Sequence, residues 1–261
     1  MKIKLFLILL SPIFCACIKL ENSTVNKISQ NTESLTVSAA ISLKDAFDEI
    51  GKAFSAKMRK TMYFNYGASG ILQQQIESGA PVDVFASAGE RQMNELEKHG
   101  LIFPETRKDF AGNSLVLIVP KDSNIETFND LTEPQAQKIA VGNPLTVPAG
   151  QYAEESLAKL NLKDALQAKL IQAVNAQQVL DYVTRGETDA GIVYTTDAQT
   201  AKEYVKIAAT IDENSHSPIL YPIAVVKDSK NSQAAKEFID FVMSAEGQQI
   251  LQKYGFRKLH S

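Results

Sequence analysis

Short β-prone runs alternate with helix-forming segments from residue 35 onward, and this alternation constrains the fold more than any other feature of the chain. The first three runs lie at residues 35–40, 62–66 and 82–87. Each precedes a segment whose apolar residues recur at helical spacing. Strands that alternate with helices are typical of parallel sheets covered by helices on both faces. The sequence therefore predicts an α/β fold.

The chain is long enough for two lobes. Its 261 residues exceed what one small hydrophobic core usually supports. We expect the chain to leave the first lobe within an apolar strand near 115–120 and to return near 220–223. The predicted first lobe is then residues 35–116 plus 220–261, and the second is 117–219. Ligands in open α/β sheets bind beyond the carboxyl ends of the strands, so a cleft between the lobes is the expected site.

The first 17 residues have the pattern of an export signal. A basic start precedes a short apolar core at 5–14, and small residues follow it. The residues before Cys17 also resemble a bacterial lipobox, so simple cleavage and lipid anchoring through Cys17 are both open. Residues 18–34 are polar and are predicted to form a flexible tether. The protein is therefore expected to be exported, and to be periplasmic or tethered to a membrane through Cys17.

Composition excludes several classes of function. The net charge is −3, which argues against binding to nucleic acid. The three histidines, at 99, 216 and 260, lack the spacing of metal ligands, and both cysteines lie in the signal segment. No Gly-x-Ser-x-Gly elbow is present, so a secreted hydrolase has no obvious nucleophile. We therefore expect a protein that is not an enzyme.

The turn at residues 67–70, Gly-Ala-Ser-Gly, is predicted to hold an anion. It follows a strand and begins a helix, so backbone N–H groups and the hydroxyl of Ser69 point at whatever lies above it. The positive end of the helix dipole favours negative charge there. No Lys or Arg lies between Phe64 and Ala80, which excludes a Walker-type loop. The predicted cradle therefore consists of neutral donors.

Four further positions place small or hydroxyl-bearing residues at strand ends or helix starts. Ser42 follows the first strand and has the capping-box spacing with Asp45. Ala149 and Ala176 lie at helix starts, and Tyr194 ends an apolar strand. Each position has an ordinary alternative: an N-cap, a plain helix start, or core packing of the tyrosine ring. Together they predict neutral donors that converge from both lobes.

Four ordered segments resemble the molybdate-binding proteins of bacterial ABC importers, the ModA type. They are residues 39–43, 67–70, 147–153 and 186–198, and the resemblance extends from about residue 35 to the C-terminus. It implies a two-lobed type II periplasmic-binding-protein fold in which helices flank a mixed, mostly parallel sheet in each lobe. It also implies that a tetrahedral oxyanion is held in the cleft without counter-ions.

The resemblance further implies which residues bind this anion. The hydroxyl donors would be Ser42, Ser69 and Tyr194. The amide donors would be those of Ser42, Ser69, Ala149 and Ala176, although the family usually has Val at the last position. The implied ligand is molybdate or tungstate, with no cofactor, and the implied partner is the membrane permease of an ABC importer. A monomer is expected. A receptor of the same fold for sulfate, phosphate or ferric ion stays open, as does a non-transporting sensor or adhesin.

Overall fold

The computed structural model describes residues 34–259, which belong to one compact unit. The predicted signal segment and Cys17 lie outside the described residues, as does the tether apart from Ser34. Ser34 itself is the first residue of a strand and pairs with Thr61, so it does not belong to the predicted tether. Among the described residues, no helix combines the length and apolar character needed to cross a membrane.

Ten strands and nine α-helices make up the described part of the chain. The strands are β1 (Ser34–Ala40), β2 (Thr61–Gly67), β3 (Val84–Ala86), β4 (Lys108–Gly112), β5 (Leu115–Pro120), β6 (Ile139–Gly142), β7 (Leu170–Ala173), β8 (Ala190–Tyr194), β9 (Val205–Thr210) and β10 (Leu220–Val225). The helices are α1 (Lys44–Met58), α2 (Ser69–Glu77), α3 (Glu90–Lys98), α4 (Pro148–Lys159), α5 (Lys163–Leu166), α6 (Ala176–Thr184), α7 (Thr195–Thr200), α8 (Ser232–Met243) and α9 (Ala245–Lys253).

The strands form two five-stranded sheets with the same pattern of connections. The first sheet has the order β2-β1-β3-β10-β4 and the second has the order β7-β6-β8-β5-β9. Three neighbouring strands run parallel in each sheet. The fourth strand of each order, β10 or β5, is antiparallel to both of its neighbours. The predicted two-lobed α/β fold with mixed, mostly parallel sheets is confirmed.

Helices of the first lobe cover its sheet through buried aromatic rings. Phe47 of α1 and Phe238 of α8 are fully buried, and their ring centroids lie 5.9 Å apart in an edge-to-face arrangement. The apolar residues of α8 follow the helical period and face inward, as their spacing predicts. Burying one such aromatic side chain contributes about 1.5–3 kcal/mol. This packing fixes the strand ends from which the site is built.

The chain passes from the first lobe to the second slightly earlier than predicted. Leu115 and Val116, which were expected in the first lobe, pair with Tyr194 and Val193 of the second sheet. They belong to β5, an apolar strand that is buried along its length except at its last residue. The outgoing crossing is therefore Asn113 and Ser114. The return, at residues 211–219, leads into β10 of the first sheet as expected.

Candidate functional site

A pocket between the two lobes brings together all five residues expected to bind the anion. Its free space is about 210 Å³, part of which opens to solvent. None of the twelve residues that line it, all in the described part of the chain, carries a charge. They are Ala40, Ile41, Ser42, Gly67, Ala68, Ser69, Ala88, Val147, Pro148, Ala149, Ala176 and Tyr194. The predicted convergence of neutral groups from both lobes is therefore present.

The pocket lies where strands end and helices begin. β1 and β2 of the first sheet lead into a 3-10 turn at Ile41–Leu43 and into α2. In the second sheet, β6 leads to α4 and β7 leads to α6. The first N–H groups of a helix have no partner inside the helix, and the dipole makes this end positive. The topology therefore directs several helix starts at one point, which suits an anion.

Ser42 does not cap a helix, contrary to the capping-box interpretation. It lies inside the 3-10 turn, α1 begins only at Lys44, and no side-chain cap bond forms at either start. Its Oγ lies instead 3.3 Å from the hydroxyl oxygen of Tyr221 in β10. Because this hydroxyl is not used by the helix, it is available at the pocket wall.

Ser69 is the first residue of α2 and is fully buried. Its Oγ accepts a hydrogen bond of 3.0 Å from the backbone N–H of Ala88. A serine hydroxyl that accepts from the protein still has its own proton to donate. Ser69 can therefore present both an N–H and an O–H to an anion in the pocket.

Tyr194 ends β8 and is almost completely buried. Its hydroxyl donates to the carbonyl oxygen of Ala88 at 2.8 Å, across the boundary between the lobes. Burial raises the pKa of Tyr194 well above its usual value, so the hydroxyl keeps its proton. The backbone of Ala88 thus joins Ser69 of one lobe, through its N–H, to Tyr194 of the other lobe, through its carbonyl oxygen. Ala88 was not among the predicted site residues, because nothing in an Ala after a short strand marks a main-chain contact.

Ala149 and Ala176 contribute main-chain groups at the starts of α4 and α6. Pro148 occupies the first position of α4, so the N–H of Ala149 lies in the unpaired first turn. Asn175 caps α6 by accepting from the N–H of Gln178 at 2.9 Å. Both alanines are buried. Their side chains are small enough to leave the amides accessible from the pocket.

The two lobes touch beside the pocket, so the structure is a closed form. The N–H of Gly70 donates to the carbonyl oxygen of Thr146 at 2.9 Å. The guanidinium of Arg91 donates to the carbonyl oxygens of Pro144 at 2.7 Å and Leu145 at 3.0 Å. These contacts were not predicted, because each joins segments far apart in sequence. The glycine at position 70 was the available signal, because a residue without a side chain allows another backbone to approach closely.

A buried carboxylate lies next to the pocket. Asp197 of α7 is 6% exposed and lines a neighbouring cavity that shares Ile41 and Ser42 with the pocket. Burial raises the pKa of Asp197 to about 7, and the charge of Asp45 adds to this effect. Lys44 and Asp45 are the other charged residues of that cavity. Among the described residues, no group of three or more His, Cys, Asp or Glu side chains could hold a metal ion.

Comparisons with known proteins match nearly the whole folded chain. A family model described as bacterial extracellular solute-binding protein matches residues 35–257. The "Putative ABC transporter substrate-binding lipoprotein YvgL" of Bacillus subtilis is 43% identical, over 87% of this chain and 88% of its own length. The molybdate-binding protein ModA of Haemophilus influenzae is 37% identical, over 85% and 89%. A solved "substrate binding domain of putative molybdenum ABC transporter from Clostridium difficile" is 45% identical with a TM-score of 0.69, over 87% of this chain and 99% of that one.

Proposed function

Because this chain belongs to the bacterial extracellular solute-binding protein family, we propose that it captures molybdate outside the cytoplasm and delivers it to an ABC importer. Membership in the ModA type, expected from four sequence segments, is confirmed by relatives that carry that name at 37% identity. In this role the pocket described above binds the oxyanion, and the closed protein then docks on the membrane permease of the importer.

The observation that carries this proposal is the uncharged pocket whose polar groups are hydroxyls and main-chain amides. Molybdate and tungstate are fully ionised near neutral pH, so every oxygen accepts hydrogen bonds and none donates. A buried anion needs several such bonds to offset the loss of its hydration. Each donor to a charged group contributes about 1.5–3 kcal/mol. A set of neutral donors is therefore sufficient for tight binding.

We assign the donors as the hydroxyls of Ser42, Ser69 and Tyr194 and the amides of Ser42, Ser69, Ala149 and Ala176. The Ser69 hydroxyl accepts a hydrogen bond from the protein and keeps its own proton for the ligand. The Ser42 hydroxyl makes no cap bond at the start of α1, so the helix does not compete with the ligand for it. Tyr194 donates to Ala88 in this structure, so its proton would turn from the carbonyl to the ligand. Tungstate, with the same charge and shape, would occupy the same donors.

The proposal needs neither catalysis nor a cofactor, since the oxyanion itself is the cargo. A monomer would suffice, because all five assigned residues come from one chain. Cys17 lies outside the described residues, and we propose lipid anchoring there because a relative at 43% identity is named a lipoprotein. Mass spectrometry of the protein from its native membrane tests this point: an N-terminus that begins at Cys17 and carries acyl chains is expected. An unmodified N-terminus would contradict it.

Calorimetric titration of residues 34–261 with molybdate, tungstate, sulfate and phosphate tests the ligand. We expect molybdate and tungstate to bind at least a hundredfold more tightly than the other two, which is about 2.7 kcal/mol. Thermal denaturation with the same anions gives an independent reading, because a ligand that binds only the native state raises its stability. Tight binding of sulfate without molybdate would replace this proposal with a sulfate receptor of the same fold.

A further inference from the structure

A buried chain of hydrogen bonds leads from the crossing between the lobes to Ser42. The side-chain amide of Asn113 donates to the hydroxyl oxygen of Tyr221 at 3.1 Å, and the Tyr221 hydroxyl lies 3.3 Å from Oγ of Ser42. Asn113 is 3% exposed and Tyr221 is fully buried. Neither residue lines the pocket, so neither is a candidate for direct contact with the anion.

The orientation of the Asn113 amide is fixed by its other partners. Its Oδ1 accepts from the backbone N–H of Ser114 at 2.9 Å. Its Nδ2 donates to Oγ1 of Thr196 at 2.9 Å as well as to Tyr221. A flipped amide would place its nitrogen against the backbone N–H of Ser114, so that two donors would face each other. The donor side of Asn113 therefore faces Tyr221.

The contact with Asn113 favours one orientation of the Tyr221 hydroxyl. Because Asn113 already donates to its oxygen, the proton of Tyr221 is available for another acceptor, and Oγ of Ser42 lies within reach at 3.3 Å. The ring is held by Phe256, Phe110 and Tyr194, whose centroids lie between 5.3 and 6.2 Å away. Burial raises the pKa of Tyr221 well above its usual value, so it remains a donor.

We propose that Tyr221, oriented by Asn113, is a positioning residue that makes Ser42 donate its proton into the anion pocket. This inference rests on the proposed function and names what sets the selectivity of that site. When Tyr221 donates to Oγ of Ser42, the Ser42 hydroxyl cannot donate its own proton back to Tyr221, so this proton points to the ligand. Ser69 is held in the same way by the N–H of Ala88. Both serines are thus committed as donors.

A site in which both serine hydroxyls are fixed as hydrogen-bond donors discriminates against anions that keep a proton. A fully ionised oxyanion only accepts, so it satisfies every donor. Phosphate always keeps at least one proton at neutral pH and therefore needs an acceptor, which a committed serine offers poorly. A serine that is free to rotate could accept from phosphate as readily as it donates to molybdate. Loss of the Tyr221 hydroxyl should therefore weaken molybdate binding and reduce the ratio of the affinity for molybdate to the affinity for phosphate.

The test is a double-mutant cycle with Tyr221→Phe and Ser42→Ala, measured by calorimetry with molybdate and with phosphate. Tyr221→Phe should lower molybdate affinity roughly two- to tenfold and leave phosphate affinity unchanged or higher. In the Ser42→Ala background the same change should have no further effect on molybdate. Tyr66→Phe is the matched control, because its hydroxyl donates to Asp48 and its side chain does not line the pocket.

The inference is overturned if Tyr221→Phe lowers molybdate affinity equally in the protein with Ser42 and in the Ser42→Ala background. It is also overturned if Tyr221→Phe leaves the preference for molybdate over phosphate unchanged. Either result would indicate a structural role alone. Asn113→Asp covers the case in which Tyr221→Phe does not fold. Its carboxylate would accept the Tyr221 proton, so molybdate affinity should fall more in the protein with Ser42 than in the Ser42→Ala background. An equal loss in both backgrounds, from the added charge alone, would contradict the inference.

The wild-type titration separates this inference from the proposed function. A wild-type protein that binds sulfate but not molybdate defeats the proposed function, and the same cycle is then measured with sulfate. A wild-type protein that binds molybdate, together with additive effects in the cycle, defeats the positioning role of Tyr221 alone.

Discussion

The backbone N–H of Gly70 donates to the carbonyl oxygen of Thr146, and this 2.9 Å bond joins the two lobes directly beside the pocket. A Cβ atom at position 70 would lie 2.7 Å from both Cα and the carbonyl oxygen of Thr146. Backbone atoms on both sides leave little freedom to relieve such a clash. The absence of a side chain at Gly70 is therefore a requirement of the closed form, and it places no comparable demand on either lobe alone.

Gly70→Ala should oppose closure while leaving the fold intact. Overpacking of this kind costs about 1–3 kcal/mol, so we expect molybdate affinity to fall roughly tenfold or more. Calorimetry measures the affinity, and small-angle scattering with saturating ligand should show a more open shape. The neighbouring Ile71→Ala, at a side chain that is 40% exposed, serves as the control and should bind normally. Unchanged affinity in Gly70→Ala would mean that ligand binding does not require this contact.

Ser69→Ala removes an assigned ligand donor and also leaves the N–H of Ala88 without its partner. A hydrogen bond to a charged group is worth about 1.5–3 kcal/mol, so the dissociation constant for molybdate should rise roughly ten- to a hundredfold. Ser78→Ala, at the exposed residue that follows the same helix, is the matched control. Calorimetry on the two variants decides the assignment, and full affinity in Ser69→Ala would remove Ser69 from the site.

Asp197 should make stability depend on pH. Its folded pKa of about 7 lies above the ordinary value of 3.8, so the folded state favours the protonated form. The stabilisation from protonation is complete below pH 3.8 and is lost as pH rises through 7. Three pH units correspond to about 4 kcal/mol as an upper limit. Asp197→Asn should therefore be more stable than the wild type at pH 8, and this advantage should shrink toward pH 4.

Urea unfolding of both proteins across this pH range measures the effect. Asp164→Asn, on an exposed surface of α5, is the control and should follow the wild-type profile. Parallel profiles for Asp197→Asn and the wild type would show that Asp197 does not carry the pH dependence. The experiment is best done without ligand, because a bound anion adds its own stabilisation.

Arg91 should favour the closed form through its two bonds to main-chain carbonyls across the cleft. Arg91→Met keeps the apolar stem of the side chain and removes the donors. Because the arginine is only partly buried, we expect a loss of roughly three- to tenfold in molybdate affinity, below the full value of a charged hydrogen bond. Arg185→Met, at an exposed position, should have no effect. Equal affinities for the two variants would exclude Arg91 from closure.

Features that depend on neighbouring residues in sequence were predicted well. Pro148 at the first position of α4 and the start of α6 after Asn175 follow from local helix rules. The glycine-flanked turn before α2 likewise pointed to three residues that line the pocket, Gly67, Ala68 and Ser69. These rules need no knowledge of the rest of the chain, because the groups that satisfy them lie within one turn.

Features that depend on distant partners were missed. Ser42 has the local pattern of a helix cap, yet its hydroxyl faces Tyr221, which is 179 residues away. Strand β4 contains two charged residues and a glycine, and it forms because it pairs with β10 at the edge of the sheet. The contribution of Ala88 is entirely main-chain. No local pattern encodes these contacts, since tertiary pairing decides them.

The main-chain amides proposed as donors at Ala149 and Ala176 would make the site sensitive to chain length. Any side chain small enough to fit leaves the N–H in place, so substitution at these positions is tolerated. One residue inserted between β6 and Pro148, or between β7 and Ala176, would lengthen the connection that sets where the first N–H groups of α4 or α6 lie, and could displace them from the pocket by up to about 3.8 Å. The lengths of these two short connections, 143–147 and 174–175, therefore preserve the site more strictly than the identities of the residues that follow them.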